Sequence, residues 1–197
     1  MKSCCACFCS IEIFLFTSSC ARQSDIILAS NTILLQFTIF SAYALDAVAN
    51  AAEALAGKAY GANNREDFRS AVIASSRLAL LFAFFLALLF HAFGPLLIDV
   101  LTSIEDVRQM ARVYLPWLIV ATLIAVWSFQ LDGIYIGATK TVAMRNAMII
   151  SMAVFYVLVY ILAPPFGNHR LWLAFLIFFA MRCITLGIWN PNIIKST

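Results

Sequence analysis

Residues Tyr43–Gly61 read YALDAVANAAEALAGKAYG, an alanine-rich stretch apolar enough to lie in a bilayer yet carrying two carboxylates, Asp46 and Glu53. At about 100° per residue in a helix, Glu53 falls about 20° to one side of Asp46. Gly57, Asn50, Tyr43 and Gln36 follow within about 80° on the other side. The strongly polar groups from Gln36 to Glu53 thus share an arc of about 100°, and the rest of the circumference is Leu, Ile, Phe, Val and Ala. This is the pattern of a lipid-facing helix with one wet side.

The energetic question is why a membrane segment keeps these acids. An Asp at mid-membrane costs roughly 2.5–3.5 kcal/mol on insertion scales, while each Leu, Ile or Phe returns only about 0.3–0.6 kcal/mol. Either the acids meet a cation on another helix, or Glu53 lies near the surface, or the face is functional. Cations within the spans are few: Arg77 and Arg182 are expected close to helix ends.

Working outward, the whole chain is of one kind. Over 197 residues it is 63% hydrophobic and 12% charged, with a mean hydropathy of +0.93. A soluble domain has about 45–50% apolar and about 25% charged residues, so this is an integral membrane protein. The net charge of +3 is scattered without a Lys/Arg block, which argues against a nucleic-acid partner. The partner implied is the lipid bilayer.

Five of the six cysteines lie in the first 20 residues, four of them as C-C-x-C-x-C at Cys4, Cys5, Cys7 and Cys9. With no His or Asp between them they lack zinc-site spacing and read as small apolar residues of a membrane helix, with metal binding and palmitoylation as the lesser alternatives. Met1-Lys2 and the apolar run to Ser19 loosely imitate a signal sequence. Thr17, Ser18 and Ser19 make a poor lipoprotein cleavage site before Cys20, however, so the run reads as the first span.

Apolar stretches of bilayer length cover approximately 4–21, 27–60, 71–97, 113–138, 147–166 and 171–188, six spans in a single transmembrane domain over 1–197. The second, 34 residues long, would measure roughly 50 Å against a hydrocarbon core of about 30 Å, so it must tilt, bend or project. Gly61 with Asn63-Asn64 is expected to stop it, and Gly94-Pro95 to interrupt the end of the third. Ser103-Ile-Glu-Asp106 has the form of a capping box, from which an amphipathic helix would run through Val107 and Met110 into the fourth span. Pro116 is placed to kink that span. Pro164-Pro165 and Gly167 make the last tight turn.

With the N-terminus in the cytoplasm, the inside loops hold Lys2, Lys58, Arg65, Arg69, Lys140, Arg145 and Lys195. The outside loops hold Arg22, Arg108, Arg112 and Arg170. Seven against four favours both termini in the cytoplasm of a multi-pass cell (inner) membrane protein.

A second intramembrane acid is Asp132, in WSFQLDGIYIGATKT (127–141). Ser128, Asp132, Tyr135 and Thr139 share a helical face, and Gly133 and Gly137 form a G-x-x-x-G pair that lets another helix approach closely. Either this is a packing interface with a solvated acid near the cytoplasmic end, or the acids of both helices line a water-accessible cavity. Such groups could carry H+ or hold Na+; spacing does not choose between them.

ARQSDIILASNTILLQF, YALDAVANAAEALAGKAYGA and FQLDGIYIGATKTVAMRNAM resemble the multidrug and toxic compound extrusion (MATE) family, in its DNA-damage-inducible protein F branch, from about Ile13 to Met181. The resemblance implies an all-α integral membrane fold: a six-helix transmembrane bundle equivalent to one lobe, the C-terminal one, of a twelve-helix antiporter with its drug cavity between the lobes. It implies a secondary active efflux transporter in which H+ or Na+ entry drives export of small organic, often cationic, compounds, with no cofactor. The cavity-facing positions would be those of Asp46, Glu53 and Asp132, and Gln36, Tyr43, Asn50 and Tyr135 are the further substrate or ion pathway candidates. The chain departs from the family at Ser24 and Ala47, where Gly usually stands.

Two other readings stay open: a truncated, non-transporting membrane fragment, and a half-transporter acting as a homodimer, a second copy replacing the missing N-terminal lobe. An enzyme is not expected. His91 and His169 sit near predicted helix ends, Ser and Cys lack a partnered base, and no Gly-rich phosphate loop occurs.

Overall fold

The computed structural model of the chain describes residues 13, 14, 16–18, 20, 24–161 and 168–195. All regular structure among them is helical. Five long helices follow in order: α1 Asp25–Gly61, α2 Arg65–Leu101, α3 Glu105–Gly137, α4 Thr141–Ile161 and α5 His169–Lys195. Each contains a stretch long and apolar enough to cross a membrane. Residues 13, 14, 16–18 and 20 are helical as well and belong to the first predicted span. Cys4, Cys5, Cys7, Cys9 and the turn at Pro164-Pro165 and Gly167 lie outside the described residues.

Helix α3 is the axis of the bundle and touches all four other long helices. α1 and α5 run parallel to it on two sides, and α2 and α4 return antiparallel through short turns. The α1–α3 seam is made by small residues. A Cβ on Gly133 would collide with the Ala49 carbonyl oxygen, and one on Gly137 would lie 2.5 Å from the Glu53 carbonyl oxygen and 2.9 Å from the Gly57 nitrogen. The predicted G-x-x-x-G contact therefore forms, and its partner is the helix that carries the polar arc. On the α5 side the core is aromatic: Phe16 meets Trp172 and Phe175 edge-on, with ring centroids 5.5 and 5.7 Å apart.

The two turns at one end of the bundle are built alike from Gly-Ala followed by a left-handed residue. After Gly61-Ala62, Asn63 takes φ 51, and after Gly137-Ala138, Thr139 takes φ 60. Ala62 donates to the Lys58 carbonyl and Ala138 to that of Ile134; Asn64 donates to Ala59 and Lys140 to Tyr135. Each pattern satisfies the last carbonyls of its helix. Gly61 is the last helical residue and the reversal comes at Asn63, where Gly61 with Asn63-Asn64 is expected to stop the helix.

Two local expectations are corrected. The third span does not break at Gly94-Pro95; α2 continues to Leu101. Proline clashes with the Cβ of the residue before it, and Gly94 has none, so that part of the penalty is absent and what remains is the missing hydrogen bond and the crowding of the His91 carbonyl four residues back. Ser103 does not cap α3. Its N-cap is Ile104, without a side-chain bond. Arg108 ties that loop instead, donating to the carbonyls of Thr102 (2.7 Å) and Asp99 (3.0 Å), while Arg112 grips the Asp99 carboxylate at 2.6 and 2.7 Å. Ser24 caps α1, its hydroxyl accepting from the Ile26 N–H.

Candidate functional site

The seam of Gly133 and Gly137 against Ala49, Glu53 and Gly57 fixes the rotation of α1. Leu45, Ala49, Ala52 and Ala56 turn into the bundle, so the flank bearing the acids turns out. Gln36, Tyr43, Asp46 and Asn50 are exposed, Tyr43 by 74%, and Glu53 is half-buried at the rim. Asn50, Glu53, Ala54 and Gly57 line an open polar groove whose other wall is Ile136 and Gly137 of α3. The described residues offer the Asp46 carboxylate no hydrogen bond and no ion pair. Five of the seven sequence candidates are thus brought onto one outward face of α1.

The other two are not on it. Asp132 and Tyr135, expected on a water-accessible or solvated face, are buried against α5. Three rungs join the helices: Ser128 Oγ donates to the Phe179 carbonyl at 3.1 Å, Arg182 Nη2 donates to Asp132 Oδ2, and Tyr135 Oη donates to the Leu186 carbonyl at 2.6 Å. The face predicted on α3 exists as far as Tyr135 and is a packing interface. Thr139, its fourth expected member, lies in the turn and leaves the face. Arg182 is fully buried in the middle of α5, not close to a helix end, and its guanidinium also lies 6.0 Å from the centre of the Phe129 ring. Asp46 is near enough for its charge to act on Asp132.

Sequence reasoning missed two polar contacts. Asn31 and Asn168 exchange amide bonds, Asn31 Nδ2 to Asn168 Oδ1 at 2.6 Å and Asn168 Nδ2 to Asn31 Oδ1 at 3.0 Å. Trp172 Nε1 adds a third at 3.1 Å. This knot pins the start of α1 to the start of α5. Gln130 of α3 donates to Ser75 of α2 at 2.7 Å. Asn31 falls on the buried side of α1, about 60° from Asp46 in the direction away from Asn50, and precedes the Gln36–Glu53 stretch that defines the polar arc.

A face of acids, amides and a phenol on an otherwise apolar helix can hold a proton or a cation near the membrane centre. Comparison with known proteins gives that chemistry a setting. The profile of the MatE family matches residues 3–162. The chain belongs to the MatE family. This MatE chain is 38% identical over 173 residues to DNA damage-inducible protein F of Escherichia coli (strain K12), an alignment covering 87% of the chain and 38% of the relative. Its fold matches that of a multidrug resistance MATE family transporter of the MOP superfamily in an outward-facing conformation, with a TM-score of 0.81 at 18% identity, over 95% of the chain and 44% of that structure. A MATE protein in a bent conformation matches with a TM-score of 0.83 at 16% identity, over 92% and 41%. The MatE chain spans less than half the length of each of these proteins.

Proposed function

We propose that this chain forms one lobe, the C-terminal one, of a secondary active efflux transporter, with the polar face of α1 lining the cavity toward a second six-helix lobe. H+ or Na+ entry would drive export of small organic, often cationic, compounds. One observation carries the reading: Gln36, Tyr43, Asp46, Asn50 and Glu53 are gathered on the outward side of α1, where a single bundle leaves them to lipid. An acid held charged at mid-bilayer costs roughly 2.5–3.5 kcal/mol, so the face calls for a hydrated, protein-lined opposite wall. The family membership and the share of each relative covered support a missing second lobe as that wall. Alternating access then works as two bundles rocking about a site between them. The loop charges support a cell-membrane orientation with both termini cytoplasmic, so a label at exposed Asn63 should react from the cytoplasm and one at exposed His169 from outside.

The test replaces single residues from Gln36 to Gly57 by cysteine in a chain lacking native cysteines, expressed with the first lobe of a relative. Reaction with a membrane-impermeant maleimide should recur every three to four residues and peak at Asp46, Asn50 and Glu53. In the same pair, Asp46→Asn should weaken ion-driven efflux by about tenfold, the effect of removing about 1.4 kcal/mol of cation binding. Uniform unreactivity would make the arc a packed surface. Robust efflux by the purified monomeric chain in liposomes would refute the need for a second lobe, and efflux by a crosslinked homodimer would put a second copy in that place.

A further inference from the structure

The three polar rungs between α3 and α5 single out Arg182. Ser128 and Tyr135 each spend their hydroxyl on a backbone carbonyl of α5, of Phe179 and Leu186, and between them these bonds fix the rotation of α5 so that residue 182 points at Asp132. Both partners of the resulting ion pair are buried. A cation arriving at Asp132 would have to displace a guanidinium held inside the bundle, leaving a buried charge without its partner. Breaking a buried pair in this way is strongly unfavourable. Asp46 faces outward, and among the described residues no cation pairs with it. Among the described residues, the titratable groups close enough to interact with Asp132 besides Arg182 are Asp46 on α1 and Cys183 on α5.

We propose that Arg182 is the resident counter-cation of Asp132: it occupies the place an exchangeable ion would take, so that Asp132 is a fixed charge holding α5 to α3 and ion exchange in this lobe is left to the α1 face at Asp46. Of the three charges, Asp46, Asp132 and Arg182, one negative charge stays uncompensated, which suits a single monovalent cation or proton. Arg182 is a positioning residue that removes one acid from the ion pathway. The assignment of exchange to Asp46 rests on the transporter reading above; the Asp132–Arg182 pairing does not.

The full chain is purified in detergent as wild type, Asp132→Asn, Arg182→Gln, the double variant Asp132→Asn/Arg182→Gln and Asp46→Asn, and melted in NaCl or in choline chloride of equal ionic strength. Each single change at the pair should lower the melting temperature by on the order of 10 °C. The double variant, with two neutral amides, should recover most of that loss. Any rise in melting temperature that Na+ gives the wild type should persist in Asp132→Asn and vanish in Asp46→Asn. Loss of the Na+ response in Asp132→Asn with Arg182 intact would overturn the proposal, because the ion would then be binding at Asp132. A double variant no more stable than the singles would overturn it too, and this outcome decides the matter if the wild type does not respond to Na+. A Na+ response unaffected by Asp46→Asn would count against ion exchange at Asp46 while leaving the pairing intact.

Discussion

Helices α1 and α2 are both 37 residues long, both pack on α3 and are joined by a three-residue turn, yet their faces are opposites. The outer face of α2 presents Leu78, Leu81, Phe84, Phe85 and Leu88, each more than half exposed. The outer face of α1 presents Gln36, Tyr43, Asp46, Asn50 and small alanines, with Phe40 and Leu55 as its large apolar members. The inner faces differ the other way. α2 buries large side chains such as Leu86 and Phe90, the latter against Phe37 of α1, and its Gly94 sits under the Leu115 side chain of α3, whereas α1 meets α3 with Ala49, Ala56 and Gly57 at backbone distance. Equal exposure to the surroundings therefore does not mean equal surroundings: α2 is finished as a lipid-facing helix, and α1 is finished only on its inner side. The close seam also serves the outer face, because it leaves α1 no freedom to rotate its acids inward.

The largest effect is expected where that seam is filled. At Gly133 a methyl group would meet the Ala49 backbone, which cannot swing away as a side chain would. Gly133→Leu should destabilise the chain by about 3 kcal/mol or more, at the upper end of overpacking costs. Gly61→Ala is the contrast: a helical glycine with open space around it should gain about 0.5–1 kcal/mol. Detergent-phase unfolding measures both. A Gly133 variant no worse than Gly61→Ala would mean that the helices separate cheaply and that α1 is not held in register.

The outer faces are compared directly by one added acid on each. Leu81 and Ala47 stand at comparable distances from the same turn, hence at similar depth. Leu81→Asp puts a charge among leucines and phenylalanines and should cost about 3 kcal/mol in stability of the inserted chain. Ala47→Asp, on the margin of the polar arc beside Tyr43 and Gln36, should cost less than half as much. The fraction of chain recovered folded from membranes reports both. Equal losses would erase the distinction between the faces and make the α1 arc ordinary lipid-facing surface.

Much of this contrast is legible in the sequence, because insertion into a bilayer leaves long apolar runs and a helical wheel sorts what interrupts them. Five of the spans, the polar arc and the Gly133–Gly137 contact all follow from that periodicity. The wheel could not show which helix would supply a cation. Arg182 lies in the last span, far in sequence from Asp132, and only the rungs at Ser128 and Tyr135 bring the two together. Position along a span likewise misjudged Gly94-Pro95, where the helix continues to Leu101 and the missing Cβ of the glycine relieves one of the clashes of the proline. The Ser103 box failed because Arg108 and Asp99, from two helices, offered the loop stronger bonds than a local cap.

The smallest effect tests the inner face of α2, where one polar contact sits in apolar packing. Gln130 Nε2 donates to Ser75 Oγ at 2.7 Å, and Ser75 Oγ in turn donates to the Val72 carbonyl at 3.1 Å. Gln130 Oε1 is buried without a partner. Ser75→Ala removes the one side-chain bond the Gln130 amide makes among the described residues and leaves that amide buried and unsatisfied, at a cost of about 1–3 kcal/mol. Gln130→Leu removes the unsatisfied oxygen together with the donor, while Ser75 keeps its own helix carbonyl. That change should be near neutral, within about 1 kcal/mol, and the double variant should match Gln130→Leu and not the sum of the two. Thermal unfolding of the three variants separates these outcomes. If Gln130→Leu costs more than Ser75→Ala, the amide has work beyond holding α2, and the α2–α3 contact then belongs with the polar side of the molecule and not with its packing.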